Sequence, residues 1–105
     1  MFLSIEEKEE ETIISFQIDL IEPNLSTIFK KSLQTIKESN SLLIILDLNY
    51  VERIDTYGIG VILNICGCCY KSNKKVLIRS INNRLYKKFE IYRINKIVRC
   101  YKREC

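Results

Sequence analysis

Residues Leu42–Leu63 read LLIILDLNYVERIDTYGIGVIL. Leu42 to Leu46 are apolar without alternation, which predicts a central β-strand covered on both faces rather than an amphipathic one. Asp47 to Asp55 then breaks the pattern and reads as a loop. From Gly58 to Ser72 the periodicity becomes helical. Gly58, Ile59, Ile62, Leu63, Ile65, Cys66, Cys69 and Tyr70 share a wide arc, with Gly60, Asn64, Gly67 and Lys71 on a narrow opposite stripe. A helix this apolar packs deeply. Strand, loop, helix is the opening of a parallel crossover unit, and in such folds ligand and partner sites gather where strand ends meet helix N-termini. Ile54–Gly60 occupies that position.

Outward from this segment the same kind of reading continues. Phe2 to Ile5 predicts a short first strand and Glu6 to Glu11 a charged turn. Thr12 to Ile18 predicts a second strand, completing an antiparallel hairpin. Pro23 and Asn24 stop it. Leu25, Ile28, Phe29, Leu33 and Ile36 then recur at helical spacing opposite Lys30, Lys31, Gln34, Lys37 and Glu38, an amphipathic helix ending near Ser39 and Asn40. Val76 to Ile78 predicts a strand, Asn82-Asn83 caps a short basic helix carrying Leu85 and Phe89, and Ile97 and Val98 begin a last strand. The predicted fold class is α/β: a mixed sheet with an N-terminal antiparallel hairpin, parallel βαβ units joined by right-handed crossovers, and helices packed on the sheet.

The chain has 105 residues, 47% of them hydrophobic, which suits one domain over 1–105 with a core and little left for a second. Histidine is absent, so Ser-His and Cys-His nucleophile pairs and imidazole metal ligands are excluded. No catalytic residue, metal site or cofactor is expected. An acidic rather than basic and apolar N-terminus predicts a cytoplasmic protein with reduced thiols. The longest apolar stretch, Ile59 to Cys69, is about half the ~20 residues a bilayer span requires. Charge divides along the chain: up to Asp55 there are 5 Lys and Arg against 11 Asp and Glu, and beyond it 12 against 2. An acidic and a basic side follow.

Within Ile54–Gly60, Asp55 or Thr56 suits an N-cap, contributing about 0.5–2 kcal/mol. The glycines need another account, since a helix-interior glycine costs about 1 kcal/mol against alanine. Gly58 projects toward the core arc, where a missing side chain brings the helix start close to the sheet. Gly60 and Gly67 lie on the outer stripe with Asn64, where a partner-docking surface and tolerated helix glycines both stand as readings.

The segment LLIILDLNYVERIDTYGIGVIL resembles the centre of STAS domains, the fold of bacterial anti-sigma-factor antagonists: an apolar strand ending in Asp-Leu, then an Asp-Ser-Ser-Gly-Leu-Gly-like loop opening a helix. NKKVLIRSINNRLYKKFEIYRINKIVRC follows the family order of strand, short helix and last strand. The resemblance runs from about Phe2 to Tyr101. It implies transcription regulation by partner switching, in which the unphosphorylated antagonist binds an anti-sigma factor that is also a serine kinase. Phosphorylation of the hydroxyl residue before the first motif glycine then releases it. Here that position is Tyr57, and the hydroxyl open to a serine/threonine kinase is Thr56. The family's Gly-Glu-Leu-Asp-like element appears as Ile18-Asp19-Leu20-Ile21, and the glycine before its last strand is Arg93. The same segment also resembles the small STAS subunits of lipid-trafficking ABC transporters, which dock on the ATPase.

The expected partner-binding residues are Asp55, Thr56, Tyr57, Gly58, Gly60, Asn64 and Gly67, with Thr56 the phospho-acceptor candidate. The expected partner is an anti-sigma factor/serine kinase, and the alternative is an ABC transporter ATPase. The basic run Arg84, Lys87, Lys88, Arg93, Lys96, Arg99, Lys102 and Arg103 raises nucleic-acid binding as a third, disfavoured reading against a solvated helix face and charged tail. The CxxC spacing of Cys66 and Cys69 is read as small buried side chains rather than as a redox or metal pair.

Overall fold

A computed structural model describes residues 3–21 and 26–103, leaving aside the side chains of 20–21 and 26–28. The readings of Phe2, Pro23, Asn24, Leu25, the Ile28 side chain and Cys105 lie outside the described residues. In chain order the elements are β1 (Leu3–Glu7), β2 (Glu11–Phe16), β3 (Leu20–Ile21), α1 (Ser26–Glu38), β4 (Leu43–Asp47), β5 (Arg53–Ile54), α2 (Thr56–Lys71), β6 (Lys75–Ile81), α3 (Asn83–Ile91), a 3-10 turn (Ile94–Lys96) and β7 (Arg99–Lys102). The mixed α/β class is observed: β1 pairs antiparallel with β2, the rest of the main sheet is parallel in the order β1-β2-β4-β6-β7, and β3 and β5 form a separate two-stranded ribbon.

Each crossover from β2 onward moves one strand further in the same direction. Right-handed connections of that kind deliver every helix to one face. The core on that face joins Ile14, Leu46 and Ile78, which sit in one cross-strand row, to Ile36 of α1, to Ile62 and Ile65 of α2, and to Leu85 and Phe89 of α3. The expectation that β4 is covered on both faces holds, with Ile44 and Leu46 fully buried on one side and Ile45 buried on the other, though the two sides are covered differently. Ile45 is buried, but its flanks are Ile13 and Leu77 of the neighbouring strands, and no described helix lies over them.

Away from the candidate site, the N-terminal strand ends are closed by a polar knot. Thr12 Oγ1 is 2.8 Å from Ser39 Oγ and donates to Ser41 Oγ, and Lys74 Nζ donates to the carbonyls of Ser39 and Ser41 at 2.7 and 2.6 Å. These residues are buried, and the bonds replace those water would have supplied.

Two readings change. Leu63 and Tyr70, assigned to the core arc of α2, are 36% and 47% exposed, because they lie at the edges of the arc, where Tyr70 reaches out to donate its hydroxyl to Ile97 O at 2.7 Å. The last strand starts at Arg99 rather than at Ile97: the chain first makes the 3-10 turn, which leaves Val98 buried and Ile97 exposed. That turn opens on Arg93 with φ 60° and ψ 26°, the left-handed region. Glycine, the residue of the resembled pattern at this position, takes up that conformation without steric cost. The left-handed cost of about 1–2 kcal/mol for an L-residue exceeds the extra chain entropy a glycine loses, about 0.5–1 kcal/mol. Arg93→Gly is thus expected to raise unfolding free energy by about 0.5–1 kcal/mol in urea titrations; a loss of stability would show that the Arg93 side chain contributes contacts that outweigh the backbone.

Candidate functional site

The 47–55 loop is held by main-chain bonds from several elements. Leu48 N donates to Arg79 O at 3.1 Å, and Glu52 N and Arg53 N both donate to Asp19 O at 2.8 Å. The same approach lets β3 pair with β5, Leu20 opposite Arg53 and Ile21 opposite Ile54. From the other side, Asn82 Nδ2 donates to Glu52 O, Arg103 Nη2 donates to Leu48 O at 3.2 Å, and Lys88 Nζ donates to Ile54 O. Asn82 also caps α3 as the sequence predicted, its Oδ1 accepting from Leu85 N at 2.8 Å.

At the loop's end Asp55, extended at φ −81° and ψ 177°, accepts a 2.7 Å bond from Gly58 N and so N-caps α2. Between the two expected caps it is Asp55 that takes the role. Thr56 and Tyr57 are then left outside, with Tyr57 73% exposed, while Gly58 is buried against the core. The hydroxyl of Thr56 and the ring of Tyr57 therefore stand at the positive end of a 16-residue helix.

Gly60 and Gly67 are partly exposed, and a methyl group built on either would meet no atom within 4 Å. Packing within the chain does not demand glycine at these two positions. The outer stripe is not one flat surface, however. Its lower half, Asn64 and Gly67 with Cys68 and Lys71, borders a groove of ≈ 410 Å³ whose other wall is Phe29, Leu33 and Lys37 of α1. Thr56 and Tyr57 belong to the α2 mouth, and Asn64 and Gly67 to the α1–α2 groove, with Gly60 on the helix between them.

A second cleft, ≈ 420 Å³, opens beside the cap and is lined by Arg53, Ile54, Asp55, Arg84, Leu85 and Lys88. Sequence reading did not join Arg53, Arg84 and Lys88 to the site. For Arg84 and Lys88 the signal was present as the basic run, but the fold scatters that run: Lys88 and Arg103 reach main-chain carbonyls of the site loop, Lys102 lies 4.7 Å above the Tyr86 ring, and Arg99 sits on the helix-free face. The run makes no continuous basic stripe.

Cys66 and Cys69 are buried in the core arc and Cys68 is partly exposed. Burial pushes the Cys66 thiol from 9.0 up to about 12, with Cys69 a smaller second cause. Burial, with Cys68 second, does the same for Cys69. Thiolates are the reactive and metal-binding form, so these side chains act as small apolar packing units. Among the described residues no helix is long and apolar enough to cross a membrane.

The family profile of the STAS domain matches residues 3–104. Solved structures similar in fold include an anti-sigma-factor antagonist (STAS) domain protein from Planctomyces limnophilus, at TM-score 0.81 and 15% identity, covering 97% of this chain and 91% of that one. The putative anti-sigma factor antagonist from Thermotoga maritima gives TM-score 0.84 at 22% identity, covering 95% and 86%. The SulP transporter STAS domain from Vibrio cholerae gives 0.70 at 22%, covering 91% and 75%. A search of curated proteins found no match.

Two predictions follow from the site's geometry. Asp55→Ala should cost about 0.5–2 kcal/mol of stability in chemical denaturation, with Asp55→Asn retaining most of it, since either side-chain oxygen serves as a cap. For the thiols, a folded value raised above the unfolded one gives stability that is full below the unfolded value and is lost as pH climbs toward the folded one. Unfolding free energy should therefore fall above pH 9.0 on the way to about 12, and a thiol reagent applied to native protein at pH 8 should leave Cys66 and Cys69 unmodified in a peptide map.

Proposed function

This chain belongs to the STAS domain family, and from that premise we propose that residues 1–105 act as one non-enzymatic, cytoplasmic protein-binding module of the anti-sigma-factor-antagonist kind. The partner is an anti-sigma factor that is also a serine kinase. The observation that carries this reading is the exposure of Thr56 and Tyr57 at the mouth of α2, on a loop whose main chain is fixed by Asp19, Arg79, Arg103, Asn82 and Lys88.

The roles divide by chemistry. Asp55 orients the helix start. Tyr57 presents a large amphipathic contact, and such side chains are enriched at binding hot spots. Gly60 and Gly67, with open space where a side chain would stand, allow close approach of a partner's main chain, and Asn64 between them supplies a polar contact. Thr56 is the phospho-acceptor. A phosphate adds about 1.5–2 negative charges. On the free protein the helix N-terminus tolerates that charge, but in a docked interface it must be desolvated against the partner, so the complex dissociates.

A bulky tyrosine at the family's acceptor position favours a second reading, permanent docking without a switch. The partner would then be an ABC transporter ATPase, and the chain a structural subunit of a lipid-trafficking complex.

Pull-down with tagged variants separates the two. Thr56→Glu should abolish capture of a kinase-fold ATPase and Thr56→Ala should preserve it, while Gly60→Leu, which fills the open space on α2, should weaken capture at least tenfold. Undiminished capture by the glutamate variant would remove the switch, and recovery of an ABC ATPase would install the second reading in its place.

A further inference from the structure

The face of the sheet opposite the helices carries an ordered charge gradient. One cross-strand row reads Glu6, Ile13, Ile45, Leu77, Arg99 from β1 to β7. The row on its N-terminal side of the parallel strands reads Glu11, Leu43, Lys75 from β2 to β6. Both run from acid through aliphatic to base. Glu6, Lys75 and Arg99 are exposed, Glu6 lying 3.8 Å from Lys8 Nζ in a solvent-exposed pair; Leu43 and Leu77 are half-buried, and Ile13 and Ile45, only 6% and 5% exposed, are buried although they lie outside the helix-side core cluster. On the far side of the first row, Arg79 Nε bonds Asp47 Oδ2 at 3.0 Å, which keeps that part of the face neutral.

We propose that this chain pairs with a second copy of itself through the helix-free face, about a two-fold axis that runs along the strands beneath β4. The charges choose both occupant and axis. A rotation about that axis exchanges the two edges of the sheet, laying Glu6 over Arg99 of the other copy and Glu11 over Lys75. Leu43 meets its own copy at the axis and Leu77 lies over the Ile13 position, Ile13 and Ile45 themselves being almost wholly shielded within each copy. A two-fold axis across the strands would instead lay Glu6 on Glu6 and Arg99 on Arg99, like charges in both places. Aligned stacking of two sheets is the ordinary geometry of sandwiches, at about −30° between strand directions and about 10 Å apart.

Five strands spaced about 4.8 Å, each contributing about five residues at 3.3 Å, present a footprint of roughly 300–400 Å² per copy. That falls short of the ~800 Å² per partner of a stable complex, so the pair is weak and salt-sensitive. The α2 mouth and the α1–α2 groove lie on the other side of the sheet and stay open in the dimer.

The test is sedimentation equilibrium of the full chain from about 10 µM to 1 mM at low salt, repeated with Glu6→Arg, with Arg99→Glu, and with an equimolar mixture of the two. Wild type should dimerise, with its association weakened at least tenfold by ~0.5 M salt, the direction and scale expected of charge pairing. Each single variant faces like charges twice and should be monomeric. The mixture restores opposite charges at both edges and should recover wild-type association, which a misfolded variant could not do. Wild type that stays monomeric to 1 mM overturns the proposal and leaves the face to a different protein. Dimers that survive either single substitution, or a mixture that stays monomeric, overturn it as well.

Discussion

The handedness of the parallel crossover governs this molecule. With β2, β4, β6 and β7 laid down in one direction across the sheet, right-handed connections leave α1, α2 and α3 no choice of side. α1 and α2 meet each other as well as the sheet, and the apolar arc of α2 becomes the centre of the helix-covered layer. The β4–α2 loop is carried to the strand ends at the middle of the sheet, with β3 and Asp19 on one flank and α3 with Arg103 on the other. Neither flank is near the loop in sequence, which is how a short segment comes to be held by residues as far apart as Asp19 and Arg103.

The parts of this arrangement that rest on local periodicity were legible in the sequence. The run Leu42–Leu46 announced a central strand, the wide arc of α2 announced deep packing, and Asn82 announced a helix start. What periodicity cannot register is which face a layer covers. An unbroken apolar run such as Ile44-Ile45-Leu46 arises equally from a strand between two helix layers and from one whose second face is shielded by its neighbours' side chains, as Ile45 is by those around it. Helical projection likewise overstates burial at the edges of an arc, which is why Leu63 and Tyr70 were placed inside. The 3-10 turn before β7 was invisible for a different reason: its left-handed residue is an arginine, and the residue type that normally signals such a turn is missing.

The departures from the resembled pattern carry different physical weight. Arg93 changes only a backbone cost, since its side chain is exposed and the turn still forms. Ile18-Asp19-Leu20-Ile21 dispenses with a glycine and an acid, yet Asp19 still offers the carbonyl that fixes Glu52 and Arg53, so a main-chain function survives the change of side chains. Tyr57 alone changes an exposed side chain at the mouth of α2. The exposure of Thr56 and Tyr57 beside an Asp55 cap was readable from the motif. The contribution of Arg53, Arg84 and Lys88 was not, because they meet only when β5 and α3 are brought together.

The anchoring of the 47–55 loop has a kinetic side. A segment already bonded at its main chain surrenders little motional freedom when something settles on it, so encounter and lock coincide and complexes form without a slow rearrangement. The same stiffness removes any means of dodging an unwelcome charge. Under the proposed switch, a pliable loop would swing the offending group into solvent and soften its effect; a stiff one would keep it aimed at the visitor, and the response to a single chemical mark would be correspondingly abrupt.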